Sequence, residues 1–283
     1  LLVGSRAFTE SLAHVQRNVE RARAAEDREG VHQMRVGVRR LRVAAAVARK
    51  SGLPSVSDKL VGELRWLWTL LGQSRDLDVF EGETWSHVKQ AAGDAAAPTA
   101  SFDANLAKLR ASAHRRLRRA LDGRRFQRIM LSLAWIAALQ DDAVTAATRP
   151  RRGRALATRM LARRAKRIVA VNIQRLPDRR RHRVRIDAKK LRYLAEFVAG
   201  LYPARGTRRY LRHLAAVQSS LGALNDLASM ERTIEAASAP LTERERNTIV
   251  RMSSHYTALR RASLATELDV AWRKFAKTAP FWE

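Results

Sequence analysis

The chain has 283 residues, 46% of them apolar, and its 55 Lys and Arg outweigh 27 Asp and Glu to give a formal net charge of +28. That length and apolar share suffice for a buried core, while so one-sided a charge points to a polyanionic partner: nucleic acid, an anionic membrane or a phosphate polymer. With no Cys, disulfides, thiolate metal sites, iron–sulfur clusters and cysteine nucleophiles are excluded.

From the N-terminus onward, apolar residues recur at three- and four-residue spacing and alternating β-branched runs are missing, so the chain reads as all-α. Helices are predicted over 5–29, 31–51, 56–80, 83–92, 102–121 and 123–140, then over 154–176, 179–200, 206–229, 240–263 and 266–278. The breaks fall at Ser51 to Pro54, at Ala91 to Ala100 with Pro98, at Asp141 to Gly153 with Pro150, at Pro177, at Pro203 to Gly206 and at Pro240. No apolar stretch approaches the roughly 20 residues of a membrane span. Leu1 to Gly4 is too short for a signal-peptide core, so a reducing cytoplasm is the expected compartment.

An internal repeat organises these helices. The run from His32 through Arg35, Val36, Arg39, Arg40 and Leu41 to Arg42 matches the run from His182 through Arg185, Ile186, Lys189, Lys190 and Leu191 to Arg192 at a shift of 150 residues. The same shift lays Leu71, Gly72, Arg75, Asp76 and Leu77 on Leu221, Gly222, Asn225, Asp226 and Leu227. Two motifs sharing one ungapped offset predict a duplication: helical halves at 1–140 and 154–283, joined by a linker over 141–153 and related by a pseudo-two-fold axis.

At 100° per residue, His32, Arg35, Arg39 and Arg42 form a stripe roughly 80° wide, which Arg28 extends backwards. His182, Arg185, Lys189 and Arg192 form its counterpart. Met34, Val38, Leu41 and Ala45 flank the first stripe on one side and Val36, Val43 and Val47 on the other, so helices should pack on both. No carboxylate occurs between Glu29 and Asp58, and cations left unpaired in a crevice are costly. A bound polyanion would supply the countercharge. Of the basic residues 46 are Arg, whose planar guanidinium donates paired hydrogen bonds to phosphate oxygens and keeps its charge; genomic bias toward Arg and Ala accounts for part of that number.

Other residues carry weaker signals. His32 and His182 can donate to phosphate oxygens, more fully when protonated. Neither has a carboxylate or second His at i+3 or i+4, which argues against metal chelation, and no pattern supports a phosphohistidine. Gly72 and Gly222 would allow close helix approach, Asp76 and Asp226 would hold basic side chains, and Arg75 has two readings, orienting or binding. Asp76 and Asp78 point to different helix faces and make a poor metal pair. Arg159, Arg163 and Lys166 share a face that is either a second wall or solvated; Arg115, Arg118 and Arg119 read as solvated. The Trp residues, apart from terminal Trp282, sit in apolar patterns and read as core.

These motifs resemble the CHAD family, the conserved histidine α-helical domain of bacteria and archaea, over essentially the whole chain. The resemblance implies two four-helix bundles around a basic cavity that binds inorganic polyphosphate, often beside a triphosphate-tunnel hydrolase domain or at polyphosphate granules. It carries binding roles onto His32, Arg35, Arg39, Arg40 and Arg42, and onto His182, Arg185, Lys189, Lys190 and Arg192. Asn225 departs from the motif that Arg75 satisfies, which puts a binding role at 225 in doubt.

A polyphosphate module needs dense cations and no base-reading apparatus, in keeping with 6% aromatic residues. A nucleic-acid binder, the alternative, would use the same charge through counterion release but usually adds stacking aromatics or a groove-reading motif. An enzyme on phosphoanhydrides would need metal-binding carboxylates or an activated nucleophile. The expectation is therefore a non-catalytic polyphosphate binder without metal or cofactor.

Overall fold

The computed structural model describes residues 2–24, 27–51, 56–93, 99–146, 150–169, 171, 173 and 176–283. Helices α1 (Leu2–Arg17) and α2 (Val19–Arg23) replace the first part of the single helix expected over 5–29. They part at Asn18, whose buried side-chain amide donates to the His14 carbonyl at 2.8 Å and so competes with the helical backbone. Then come α3 (Arg28–Ser51), α4 (Asp58–Val79), a π-helical segment Phe80–Thr84, α5 (Trp85–Ala92), α6 (Ala100–Asp122) and α7 (Arg124–Ala146). The second half contains α8 (Pro150–Val169), α9 (Asp178–Phe197), a 3-10 turn Ala199–Leu201, α10 (Ala204–Ser238) and α11 (Glu243–Ala276). The described residues hold no strand, as the helical periodicity requires.

Sequence spacing explains where the long helices run past their expected ends. Leu227, Met230, Ile234 and Ala237 continue the buried face of α10 with no Gly or Pro among them, so it reaches Ser238 rather than 229. Likewise α11 is one helix rather than two split near 264, because Leu264, Leu268, Ala271 and Phe275 keep one buried stripe. A capping box starts it, Thr242 accepting from the Glu245 N–H while Glu245 accepts from the Thr242 N–H. Helices α7 and α8 enter the expected linker, to Ala146 and from Pro150, a proline being tolerated at the first helical position. Helix α8 ends at Val169, short of the expected 176. The rest of that linker, 147–149, and the predicted breaks at Pro54 and Pro98 lie outside the described residues.

Among the described residues three apolar cores fix the arrangement. The first joins α1, α3, α4 and α7 through residues such as Phe8, Met34, Leu64 and Leu133; the second joins α8, α9, α10 and α11 through Leu161, Leu191, Leu214 and Phe275. A third is shared by the halves, with Phe80, Trp85, Phe102 and Leu106 meeting Met230, Ile234, Ile249 and Met252. Each such side chain contributes about 1.5–3 kcal/mol on burial. Helices α3 and α9 also touch. Val47 of α3 packs on the second core and Phe197 of α9 on the first as well as the second, so the basic helices lie at the seam between the halves.

Candidate functional site

One face of each seam helix is committed to core: Met34, Val38, Leu41 and Ala45 on α3, and Val184, Ala188, Leu191 and Ala195 on α9. The alternate face leaves His32, Arg35, Arg39 and Arg42 partly exposed, with Arg185, Lys189 and Arg192 partly exposed and His182 exposed on α9. Helix α4 runs antiparallel to α3 along this row. Arg35 and Arg42 both lie over the Trp68 ring, with Cζ 4.3 Å and 5.5 Å from its centroid. One turn on, a Cβ at Gly72 would stand 2.6 Å from Arg35 Nη1. The motif glycine thus makes room for a guanidinium rather than for a second helix, and Gly222 meets nothing within 4 Å.

Further along α4, Arg75 acts on His32, whose imidazole is pushed to a lower pKa by burial first and by Arg75 next. Arg28 has partners the sequence did not suggest: it donates to the Asp78 carbonyl oxygen at 3.2 Å and to Glu81 of the π-helical segment at 2.5 Å. Positions equivalent by the 150-residue shift are joined across α9 and α10. Arg192 Nη1 donates to Gln218 Oε1 at 3.3 Å, His182 Nδ1–H donates to Asn225 Oδ1 at 2.8 Å, and Arg185 lies 4.0 Å from Asp226. Asn225 therefore orients a histidine where its counterpart Arg75 faces one. With Nδ1–H engaged, His182 offers an anion Nε2, which donates only when the ring is protonated.

The two rows meet around Asp76. Burial raises its carboxyl pKa; Arg35 opposes that rise, Asp226 adds to it, and Lys189 and Arg185 oppose it again. A carboxylate on α4 thus feels cations of α3 and of α9 together. Lys189 is pushed down to about 8, first by burial and then by Arg185 and Arg35. Burial also lowers Arg35 and Arg42, which as guanidinium groups stay charged. Arg39 crosses the seam, its Cζ 4.4 Å from the Tyr193 centroid. Among the described residues its buried Nε, like that of Arg185, has no hydrogen-bond partner, and Arg35, Arg39 and Arg42 form no ion pair.

The remaining predicted residues stand apart. Arg40 and Lys190 are exposed, a 100° step around their helices from Arg39 and Lys189. Arg159, Arg163 and Lys166 are exposed on α8, as are Arg115, Arg118 and Arg119 on α6. Arg164 of α8 is partly exposed; burial lowers its pKa and Asp187 of α9 opposes that shift.

The core reading of the Trp residues needs correction. Trp85 is buried, but Trp135 is 68% exposed and terminal Trp282 is buried in the second core. Trp68 and Trp66 are only partly buried and carry guanidiniums, Arg125 lying over Trp66 at 3.9 Å. Trp68 was findable, since it shares the face of α4 that holds Gly72, Arg75 and Asp76 at four- and three-residue spacing.

A buried polar cluster on α4 also escaped the sequence reading. Asp78, fully buried, lies 2.7 Å from Arg110 Nε and 2.9 Å from His114 Nε2, while Arg110 is 3.5 Å from Glu81. Burial pushes the Asp78 carboxyl up, but hydrogen bonds from His114 and Arg110 outweigh it and hold the pKa below the usual range. Among the described residues no three His, Asp or Glu side chains are grouped to hold a metal ion, and no helix is long and apolar enough to cross a membrane.

The family model of the CHAD domain matches residues 6–235. The crystal structure of the CHAD domain from the plant Ricinus communis is similar over 98% of this chain and 91% of its own, at 26% identity and a TM-score of 0.75. Its plant source takes the family beyond bacteria and archaea. PptA from Streptomyces chartreusis shares the fold over 98% of this chain and 97% of its own, at 16% identity and a TM-score of 0.62. Among curated proteins nothing matches.

Proposed function

The chain belongs to the CHAD domain family, and from that premise and the placing of the basic rows we propose that it binds inorganic polyphosphate along the seam between α3 and α9 and catalyses no reaction on it. The observation that carries this reading is the meeting of the two basic rows at the seam, where α3 touches α9 and Arg39 of one half lies over the Tyr193 ring of the other at 4.4 Å, and where the Asp76 carboxyl is influenced by Arg35 of one and by Lys189 and Arg185 of the other. Beside them stands a line of guanidiniums without ion-pair partners among the described residues. Crowded cations of one sign raise the free energy of the empty site, and a linear polyanion relieves the repulsion along its length. Arg35, Arg39 and Arg42 follow one another at three- and four-residue steps and suit a ligand whose charge repeats along a chain. Guanidinium edges also match phosphate oxygens in shape and charge.

The test is a competition titration of long-chain polyphosphate against duplex DNA, single-stranded RNA and heparin, at matched charge and about 150 mM salt, where exposed charges are substantially screened. Polyphosphate is expected to bind tightest and to release no phosphate above a protein-free control. Tighter binding of a nucleic acid would replace this reading with the nucleic-acid one, and phosphate release that depends on His32 and His182 would replace it with an enzyme.

A further inference from the structure

The two basic rows are held in chemically different ways. On α3 the guanidiniums rest on rings: Arg35 and Arg42 on Trp68, at 4.3 Å and 5.5 Å, and Arg39 on Tyr193, at 4.4 Å. One shift of 150 residues along, Trp68 becomes Gln218, Arg39 becomes Lys189, and the residue equivalent to Tyr193 in the first half is Val43. The cation equivalent to Arg42 is Arg192, and it is tied by its edge, Nε donating to Glu196 at 2.7 Å and Nη1 to Gln218 at 3.3 Å.

The difference matters because a guanidinium has a face and an edge. Stacking uses the face, so the in-plane N–H donors stay available and the long side chain is already ordered when a ligand arrives. A hydrogen bond to carboxylate or amide uses the edge, and those donors must be exchanged before phosphate can take them. Tyr193 adds a second point, since it belongs to α9 yet supports an arginine of α3, making the first-half row depend on the seam being closed.

Resting on the reading of this seam as a polyanion site, we propose that Trp68 and Tyr193 are positioning residues that hold the guanidiniums of Arg35, Arg42 and Arg39 in place with their terminal Nη groups toward the ligand. They make α3 the dominant wall of the site and α9 the adjustable one. Neither ring has to touch the polyanion. Their contribution is to fix cations whose charge they leave unchanged, which separates their effect from that of removing an arginine.

The experiment compares Trp68→Leu, Trp68→Phe, Tyr193→Leu and Tyr193→Phe, with Gln218→Leu as the opposite-wall counterpart. Long-chain polyphosphate is titrated over a salt series, thermal melting is recorded, and Arg Nε–Hε groups of the ligand-free protein are followed by ¹⁵N NMR. Each ring-to-Leu change is expected to weaken binding about tenfold, the size of one partly desolvated cation–π contact. Each Phe variant should stay within about threefold of wild type, since a ring is retained. The salt slope should not move, because no charge has been removed, and Gln218→Leu should cost less than Trp68→Leu. In the NMR arm, rotation about the Nε–Cζ bonds of Arg35, Arg39 and Arg42 should be restricted in wild type and freed in the Leu variants.

Leu variants that bind like wild type, affinity losses that merely track falls in melting temperature, or Phe variants as weak as Leu would each overturn the proposal. If wild type binds no polyphosphate at all, the functional reading falls, and the ligand-free spectra still decide the positioning claim: free rotation at Arg39 in wild type would end it.

Discussion

At the scale of single residues, Gly72 and Gly222, which the 150-residue shift aligns, offer a controlled contrast. Both sit in helix interiors, where Ala is favoured over Gly by roughly 1 kcal/mol. At Gly72 the added Cβ would stand 2.6 Å from the mobile end of Arg35, whereas at Gly222 it meets nothing within 4 Å. Gly222→Ala should raise the melting temperature and leave polyphosphate affinity unchanged. Gly72→Ala should keep a folded, equally stable protein but displace the Arg35 guanidinium and weaken binding severalfold. Melting curves and titrations of the pair check this, and equal binding by both variants would remove Arg35 from the site.

Lys189 supplies a second prediction at this scale. Its pKa of about 8 in the free protein means that below neutrality the ammonium is already present, while above about 8 a bound polyanion must draw a proton onto it. A lysine depressed in this way gives a site whose affinity is flat near pH 7 and falls as pH rises through 8, by up to about tenfold per unit for one linked proton. His32, which burial and Arg75 hold below its ordinary value, titrates beneath this window. Lys189→Arg should abolish the fall, because a guanidinium does not titrate there. Titrations at pH 7, 8 and 9 read the difference, and an unchanged slope in the Arg variant would assign the proton elsewhere.

At the scale of elements, the helices were legible where apolar spacing ran between strong punctuation, and less so where it did not. The Thr242–Glu245 cap and the Pro203 boundary stand in the sequence, but nothing in the residues near 229 or 264 stops a helix, and the two longest helices run through both points. Asn18 breaks a helix through a side-chain hydrogen bond that propensity alone does not reveal. The Asp78 cluster was invisible for another reason: its partners Arg110 and His114 come from α6, more than thirty positions away, and single-helix geometry cannot bring them together.

That cluster clamps α4 to α6 and so fixes the helix that carries Trp68, Gly72 and Asp76. Removing the carboxylate leaves Arg110 and His114 facing a buried void, and Asp78→Ala should destabilise the fold by about 3 kcal/mol. Since the carboxyl is held below its unfolded-state pKa, its stabilisation is present above the ordinary carboxylate range and is lost as pH falls through the folded value. Urea denaturation at pH 7 and at a pH well below the ordinary carboxylate range should therefore show a smaller gap between wild type and variant at the lower pH. An equal gap at both would mean that the cluster acts by packing alone.

At the scale of the whole molecule, the two basic rows were readable as helix faces from their spacing, because the buried residues beside them on α3 and α9 repeat at three- and four-residue steps. What the sequence could not show was that the rows are unequal. The 150-residue shift aligns the cations but not their supports, and Trp68, Tyr193 and Gln218 acquire meaning only when α3, α4, α9 and α10 are placed together. Arg28 is similar, unpaired along its own helix yet bound to Glu81 across the fold. On the proposed reading the seam is one site to which both halves contribute.

Reversing charge in each half separately tests that claim. Polyphosphate affinity is measured for Arg35→Glu with Arg39→Glu, for Arg185→Glu with Lys189→Glu, and for Arg115→Glu with Arg118→Glu on the exposed face of α6, all of which change the net charge alike. Both seam pairs should lose far more than the roughly 0–1 kcal/mol typical of an exposed ion pair, the α3 pair most, and both should flatten the salt dependence; the α6 pair should lose least. Equal losses in all three would show binding to follow net charge with no defined site, and a loss confined to one seam pair would contradict a polyanion spanning both halves.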